Sequence, residues 1–183
     1  MLKEKSGAVF IDAGLEEVIV PAIWEQSTFK KVGPSNRAMM WNFKDKGGRD
    51  VCLVPEITGM IQETWRNDWC KATSRDIFYV ARCYRYERPQ RGRYREFTQI
   101  GIECLGDSTL NPRSLLEDVM NSFNIELEYD FSAKRGLTYY DGYGYEVLAP
   151  SLGAQKQIAG GGKYDEGEGW AIGLDRLMLA LDV

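Results

Sequence analysis

The amino-acid sequence predicts an α+β fold in which helices flank a mostly antiparallel sheet. The main evidence is Ala81–Cys104, where residues alternate in polarity, stop at a basic stretch containing Pro and Gly, and then alternate again. This pattern is typical of a long β-hairpin. Two apolar runs around Lys44–Gly48 predict a smaller hairpin, and apolar residues at helical spacing in Pro112–Phe123 predict an amphipathic helix. No repeat or low-complexity linker interrupts the chain, so we expect one domain over residues 1–183.

The other elements follow from local signals. Gly14 predicts the end of a helix at residues 8–15, and Pro21 the end of an apolar strand at 18–20. Asn111 is the expected cap of the helix that begins at Pro112. The remaining predictions are, in chain order, a helical stretch at 23–31, a turn at 33–36, strands at 39–43 and 51–54, a helix at 59–69, strands at 125–131 and 137–147, a glycine turn at 160–165, and a buried strand leading into a helix at 170–181.

Composition narrows the class of protein. The net charge is −4 and 44% of the residues are hydrophobic, which is ordinary for a globular protein and argues against generic coating of nucleic acids. No apolar run approaches the length that crosses a membrane, and the first residues lack the apolar core of a secretory signal, so we expect a cytoplasmic protein without a membrane partner. A local basic patch is nevertheless present, made of Arg82, Arg85, Arg88, Arg91, Arg93 and Arg95.

The chain has four cysteines and no histidine. Because the cysteines are scattered and form no CxxC pair, we expect reduced, mostly packed thiols and no protein metal site. The absence of histidine excludes every mechanism that needs an imidazole side chain. Carboxylates, tyrosine, lysine, arginine and the substrate itself remain available for chemistry.

One face of the central hairpin has an unusual set of residues. Strand alternation places Arg85 with Glu87 on one strand, and Phe97, Gln99 and Glu103 together on the other. An arginine, an aromatic ring, an amide and a carboxylate make a poor core and a good pocket. From the pattern alone, a hairpin with solvated charges is an equal alternative.

Four separated segments together resemble a known family. They are Pro55–Thr58, Arg85–Glu103, Lys134–Tyr140 and Gly173–Arg176. The chain resembles the class II aminoacyl-tRNA synthetases, and within them the catalytic core of the histidyl-tRNA synthetases. That family's signature R-x-E-R-P-Q-x-G-R-Y-R-x-F-x-Q-x-G-x-E is present from Arg85 to Glu103. Its R-G-L-D-Y-Y segment is present from Arg135 to Tyr140, with Thr138 in place of the acidic residue.

The resemblance implies a class II catalytic-domain fold and a ligase that activates histidine with ATP and Mg²⁺ to histidyl-adenylate. It also implies transfer to the acceptor end of tRNA, and a homodimer. By resemblance, Arg85 and Arg135 are catalytic. The expected ATP-binding residues are Arg85, Glu87, Arg93, Phe97 and Arg176; the expected histidine-binding residues are Glu56, Thr58, Gln99, Glu103, Tyr139, Tyr140 and Tyr164; and the expected tRNA contacts are Arg88, Gln90 and Arg91.

The sequence also departs from the family pattern. Glu103 and Arg135 are too close in sequence for the family's insertion domain, and we expect no anticodon-binding domain after Val183 and only a short remnant of the N-terminal dimer helix. Asp175 replaces the usual Glu beside Arg176. Two alternatives therefore stay open: an enzyme that passes activated histidine to an acceptor other than tRNA, and a non-catalytic regulatory subunit.

Overall fold

A mostly antiparallel sheet of seven strands lies at the centre of the computed structural model, which describes residues 8–134, 137–141 and 143–182. Within these ranges the strands are β1 (Glu16–Glu17), β2 (Ile23–Glu25), β3 (Asn42–Lys44), β4 (Asp50–Leu53), β5 (Ser74–Tyr84), β6 (Glu96–Gly106), β7 (Glu128–Lys134), β8 (Tyr143–Leu148), β9 (Gln157–Tyr164) and β10 (Gly167–Gly173). The large sheet has the order β1-β5-β6-β10-β9-β8-β7, and only the short β1–β5 pair is parallel. A second sheet has the order β2-β4-β3. The predicted α+β class is confirmed.

Helices flank the sheets. The α-helices in the described ranges are α1 (8–12), α2 (Pro34–Ala38), α3 (Thr58–Thr64), α4 (Pro112–Asn121) and α5 (Leu174–Ala180). Turns of 3-10 helix cover Gln26–Lys31 and Pro150–Gln155, and a π-helical turn at Trp65–Trp69 extends α3. No helix of the described chain is both long and apolar enough to cross a membrane.

The central hairpin is confirmed and is longer than predicted. β5 and β6 each contain 11 residues, and their register runs from Ser74 opposite Gly106 to Tyr84 opposite Glu96. Cys83 lies opposite Phe97 and Ala81 opposite Gln99. Since opposed residues share a face, the polar residues of the hairpin do lie on one side of the sheet.

Alternation along this hairpin separates two cores. Ile100, Ile102 and Trp170 face the helical side, where they pack with Leu116 and Met120 of α4. The Trp170 indole also donates to the Pro112 carbonyl at 2.7 Å. The opposite face packs residues of α3 and the 3-10 turn at Gln26–Lys31 against Ile77, Tyr79 and Cys83. The cavity described below opens on this second face.

Several local predictions are confirmed. Asn111 caps α4, because its side-chain Oδ1 accepts from the Ser114 backbone N–H at 3.1 Å. Helix 59–69 corresponds to α3 with its π-helical turn, and the smaller hairpin corresponds to β3 and β4. All four cysteines are free thiols; Cys70 is exposed and the other three are buried.

The predicted glycine turn at 160–165 is wrong, since residues 160–164 belong to β9. Glycine is needed there for close packing: a Cβ at Gly161 would lie 2.3 Å from the Gly169 carbonyl and 2.5 Å from the Trp170 Cβ. The chain turns instead at 165–166, between β9 and β10.

Other boundaries differ where pairing across the sheet overrides local pattern. Ile23 pairs with Leu53, so the predicted helical stretch 23–31 begins as strand β2. Gly33, with φ of 81°, leads directly into α2 where a turn was expected. Residues 18–20 are not a strand, because β1 ends at Glu17, and the strands predicted at 39–43, 125–131 and 137–147 lie at β3, β7 and β8.

Candidate active site

A cavity of about 290 Å³ opens beside the polar face of the central hairpin. Its walls come from β5, β6, β8, β9 and β10, the loop of the hairpin, the first turn of α5, and the segments around Glu56 and Tyr139. Ten residues that the sequence singled out line it: Glu56, Thr58, Arg85, Glu87, Arg93, Phe97, Gln99, Tyr139, Tyr140 and Arg176. Segments far apart in the sequence therefore meet at one place.

Three arginines, Arg85, Arg93 and Arg176, lie at one end of this cavity. Arg176 is held by two backbone carbonyls, since its Nε donates to Gly92 O at 2.6 Å and its Nη1 to Gln157 O at 2.9 Å. Burial lowers the pKa of Arg176, and the positive charges of Arg93 and Arg85 lower it further. An anion at this end would relieve that repulsion, and arginine forks suit phosphate oxygens.

Arg85 and Phe97 form the floor of the cavity next to Arg93 and Arg176. The Arg85 Nε donates to Pro55 O at 2.9 Å, which ties the end of β5 to the segment before α3. Its guanidinium carbon lies 5.1 Å from the centre of the Phe97 ring. The half-buried Phe97 ring is therefore a flat apolar surface beside cationic groups, which is suited to a purine base.

Arg93 also pairs with a carboxylate, because its Nε lies 2.6 Å from Glu87 Oε2. Glu87 is buried, and the pair fixes the hairpin loop against the cavity. The loop is closed below this pair by two backbone hydrogen bonds between Gln90 and Arg93.

The opposite end of the cavity is acidic. Glu56 is 4% exposed; its Oε1 accepts from the Gly59 backbone N–H at 2.9 Å and its Oε2 from the Tyr139 hydroxyl at 3.1 Å. Burial raises the pKa of Glu56. The Glu56 carboxyl can accept further hydrogen bonds, so a positively charged donor such as an ammonium group fits here.

Glu103 lies directly beneath this end, fully buried. Thr58 Oγ1 donates to its Oε1 at 2.6 Å, and the Tyr164 hydroxyl donates to its Oε2 at 2.5 Å. Burial raises the pKa of Glu103 to about 8, and the nearby Glu56 carboxylate adds to the effect. Among the described residues, neither Glu56 nor Glu103 forms a salt bridge with a lysine or arginine. Glu103 and Tyr164 are buried and do not line the cavity, so they support its wall from below.

Tyrosine rings close the acidic end. The ring centres of Tyr139 and Tyr140 are 4.7 Å apart, and both rings contact Tyr164. Thr138, where the family signature has an acidic residue, points away from this cluster: its hydroxyl donates to the Lys31 carbonyl at 2.6 Å. Thr138 thus anchors the tyrosine segment to the 3-10 turn at Gln26–Lys31.

Three more of the predicted residues lie outside the cavity wall. Arg88, Gln90 and Arg91 are exposed on the hairpin loop. Arg135 falls outside the described residues.

The sequence interpretation assigned no role to several residues that line the cavity, among them Asn36, Tyr79, Glu146 and Asp175. Alternation along β5 would have found Tyr79, because it lies two positions before Ala81 and four before Cys83 on the polar face. Asp175 Oδ2 accepts from the Thr98 backbone N–H at 2.8 Å and so joins α5 to β6 beside Phe97. No local pattern signals Glu146 or Asn36, which only the fold brings to the cavity.

The family model and the similar sequences described here indicate the same family. Residues 1–117, more than half of the chain, match the histidyl-tRNA synthetase family. The chain is 26% identical over 277 positions to the histidine-tRNA ligase of Methanosarcina acetivorans, covering 90% of this chain and 67% of that protein. It is 37% identical over 131 positions to the enzyme of the same name from Sulfolobus acidocaldarius, covering 68% of this chain and 31% of that protein.

Solved structures share the fold. An apo histidyl-tRNA synthetase from S. aureus superposes with a TM-score of 0.76 at 20% identity, covering 99% of this chain and 64% of that chain. A Bacillus halodurans protein described as an ATP phosphoribosyltransferase regulatory subunit/histidyl-tRNA synthetase gives 0.81 at 14% identity, covering 100% and 78%. The present chain spans about two thirds of the length of the Methanosarcina acetivorans relative. Its alignment to that relative covers 277 positions, more than its own 183 residues, so the relative has segments with no counterpart here.

Proposed function

Because this chain belongs to the histidyl-tRNA synthetase family, we propose that it activates histidine with ATP and then transfers the histidyl group to the acceptor end of a tRNA. The observation that supports this most directly is the two-ended cavity. Buried carboxylates lie at one end and three arginines at the other, so a ligand with an ammonium group and a phosphate chain fits its charge distribution.

In the proposed activation step, a carboxylate oxygen of histidine attacks the α-phosphorus of ATP. The bond from that phosphorus to the oxygen bridging to the β-phosphorus breaks, and pyrophosphate leaves with the electron pair. The attacking carboxylate is already ionised at neutral pH, so no general base is needed in a protein without histidine. Catalysis then depends on alignment and on neutralising the phosphates.

Arginines supply that neutralisation. Arg85, which is tied to Pro55 beside Glu56, would contact the α-phosphate and the histidine carboxylate together, and Arg135 would stabilise the α-phosphate as charge develops. Arg93 and Arg176 would bind the outer phosphates. Phe97 would stack on the adenine, and Glu87 would accept from its amino group.

Histidine would bind at the acidic end. Glu56, Gln99 and Thr58 would take the α-ammonium group. Glu103 does not line the cavity of the unliganded chain, so the imidazole would reach it past Thr58. Glu103 and Tyr140 would then each pair with one ring nitrogen, with Tyr139 and Tyr164 closing the pocket. A site that pairs both nitrogens discriminates strongly, because an analogue without them leaves buried polar groups unpaired.

Magnesium would accompany the phosphates. In the described residues no cluster of three acidic, cysteine or histidine side chains is placed to hold a metal, so a dedicated protein cage is not part of the proposal. The Glu146 and Asp175 carboxylates line the same cavity and fit an ion that takes most of its ligands from phosphate and water. When bound, Mg²⁺ would supply positive charge as pyrophosphate leaves.

The partners and organisation follow the family. The exposed Arg88, Gln90 and Arg91 would contact the tRNA acceptor end. We further propose that residues 1–183 form a single domain that acts as a cytoplasmic homodimer. The dimer is supported by exposed apolar side chains around the small sheet: Ile19 (92% exposed), Ile23 (51%), Phe43 (42%), Trp41 (37%) and Tyr86 (54%).

The resemblance in fold to a chain described as a regulatory subunit makes a non-catalytic role the second candidate. The three clustered arginines favour the catalytic role. Their mutual repulsion is unfavourable in a subunit that does not bind ATP, whereas the phosphates of bound ATP would offset it.

Histidine-dependent exchange of labelled pyrophosphate into ATP tests the proposal, followed by charging of tRNA. We expect exchange with histidine and with no other amino acid. Exchange without charging would replace tRNA by another acceptor, and no exchange with any amino acid would favour the regulatory subunit.

A further inference from the structure

Gly101 leaves a gap in a row of side chains on β6, and the ring of Tyr79 fills it. The polar face of β6 presents Phe97, Gln99 and Glu103, with Gly101 between the last two. Tyr79 of β5 lies opposite Gly101 in register. A Cβ at Gly101 would lie 2.4 Å from the Tyr79 hydroxyl oxygen, so the tyrosine ring fills the space that the glycine leaves. The hydroxyl is thereby placed between Gln99 and Glu103.

This hydroxyl has no hydrogen-bond partner in the described structure, although Tyr79 is 1% exposed. Buried polar groups are nearly always paired, and an unpaired one lowers stability. Tyr79 is close enough to Glu103 to lower the pKa of that carboxyl, but not in hydrogen-bond geometry. An unpaired donor beside a buried carboxyl, in a residue that lines the cavity, points to a role that needs the ligand.

Glu103 has room for this donor. Thr58 and Tyr164 occupy one lone pair on each of its oxygens, and an ionised carboxylate accepts about four hydrogen bonds. The titratable groups that face Glu103 come from every neighbouring element: Glu56 before α3, Tyr79 from β5, Tyr139 and Tyr140 from the tyrosine segment, Tyr145 from β8 and Tyr164 from β9.

We propose that Tyr79 is a positioning residue for Glu103: its hydroxyl donates to the ionised carboxylate, the form that accepts the ring N–H of the bound amino acid. This inference rests on the proposed function, in which that ring is the imidazole of histidine. An N–H donor binds the ionised form of Glu103 more strongly than the protonated form, whereas burial raises the pKa of Glu103 to about 8. A hydrogen bond from Tyr79 favours the ionised form and so strengthens binding at neutral pH.

The test is Tyr79→Phe, which removes only the hydroxyl, with Tyr145→Phe as the matched control. The Tyr145 hydroxyl donates to Gly169 O at 3.3 Å and does not line the cavity. Histidine affinity is measured by calorimetry between about pH 6.5 and 9, together with urea unfolding. We expect Tyr79→Phe to bind histidine about 10-fold more weakly at pH 7, with the difference shrinking as pH rises. Its unfolding midpoint should equal or exceed that of the wild type, whereas Tyr145→Phe should lower the midpoint and keep the pH profile.

A double-mutant cycle with Glu103→Gln measures the coupling between Tyr79 and Glu103, even where Tyr79→Phe has other effects on binding. Adding Tyr79→Phe to Glu103→Gln should cause no further loss of affinity. An independent further loss, a loss equal at every pH, or an unchanged affinity would each overturn the role of Tyr79 while leaving histidine activation intact. Failure of the wild type to bind histidine at any pH would overturn the proposed function, and this inference with it.

Discussion

At the scale of single residues, Arg176 gives the main electrostatic argument for the proposed phosphate site. Its guanidinium is half-buried and fixed by two carbonyls, and the like charges of Arg93 and Arg85 outweigh the opposite charge of Glu87. Such a group has few interactions that require its charge until an anion arrives, so its contribution should appear in catalysis rather than in folding.

We therefore expect Arg176→Ala to reduce kcat/KM for ATP in the exchange assay by on the order of 100-fold or more. Arg82→Ala is the control, because Arg82 pairs with Glu96 on exposed strand positions outside the cavity. A similar loss in both variants would mean that charge in the hairpin, rather than the Arg176 position, determines the rate.

Glu103 makes the stability of the unliganded protein depend on pH. Its pKa is raised to about 8 in the folded state against 4.5 as the ordinary value, so the folded state binds more protons between these pH values. Stability should therefore fall as pH rises from about 4.5 to 8, by a few kcal/mol, because each tenfold difference in proton affinity between the folded and unfolded states corresponds to roughly 1.4 kcal/mol. Glu103→Gln should flatten this slope in urea unfolding measured across pH. Glu126→Gln, at an exposed position, should leave the slope of stability against pH unchanged. An unaltered slope in Glu103→Gln would show that a group other than Glu103 binds the proton.

At the scale of elements, β9 depends on its glycines for packing. Gly161→Ala should lower the free energy of unfolding by about 3 kcal/mol, since the new methyl group meets backbone and the Trp170 side chain below contact distance. Gly47→Ala is the comparison, because its neighbours there are flexible side chains of an exposed turn. Chemical denaturation of both variants gives the two values, and equal values would show that the sheet relaxes around the methyl group.

These elements also show what sequence could and could not predict. The β5–β6 hairpin and α4 were predictable because long alternation and a capped amphipathic repeat are local signals. β9 was misread because a run of glycines looks like a turn when the aromatic residues that require it, Tyr145 and Trp170, lie elsewhere in the chain. The segment 125–148 was misplaced because weak alternation does not fix register without the neighbouring strand.

The residues of the candidate site also divide into features that the sequence could predict and features that it could not. Most of the residues named from the family motifs do line one cavity, since such motifs describe positions on a shared fold. Whether a carboxylate lines the cavity or supports it from below, as Glu103 does, depends on packing depth. Sequence spacing gives no measure of that depth.

At the scale of the whole molecule, the apolar surface around the small sheet is the feature that an isolated chain does not explain. We expect Ile19→Asp combined with Ile23→Asp to convert a dimer into a monomer in sedimentation equilibrium, because two charges in the interface centre are costly to bury. Phe131→Asp, on the edge strand β7 at the other side of the large sheet, should leave the assembly unchanged. A wild-type monomer at micromolar concentration would refute the dimer outright.

The cavity is bounded by tyrosines, carboxylates and arginines, in a chain that has no imidazole anywhere. Nuclear magnetic resonance of a complex in which both the protein and the histidine carry ¹⁵N would therefore show imidazole nitrogens from the bound amino acid alone. The tautomer and protonation state of the ligand would be directly readable, and they would show whether a ring N–H is available to the proposed partner Glu103.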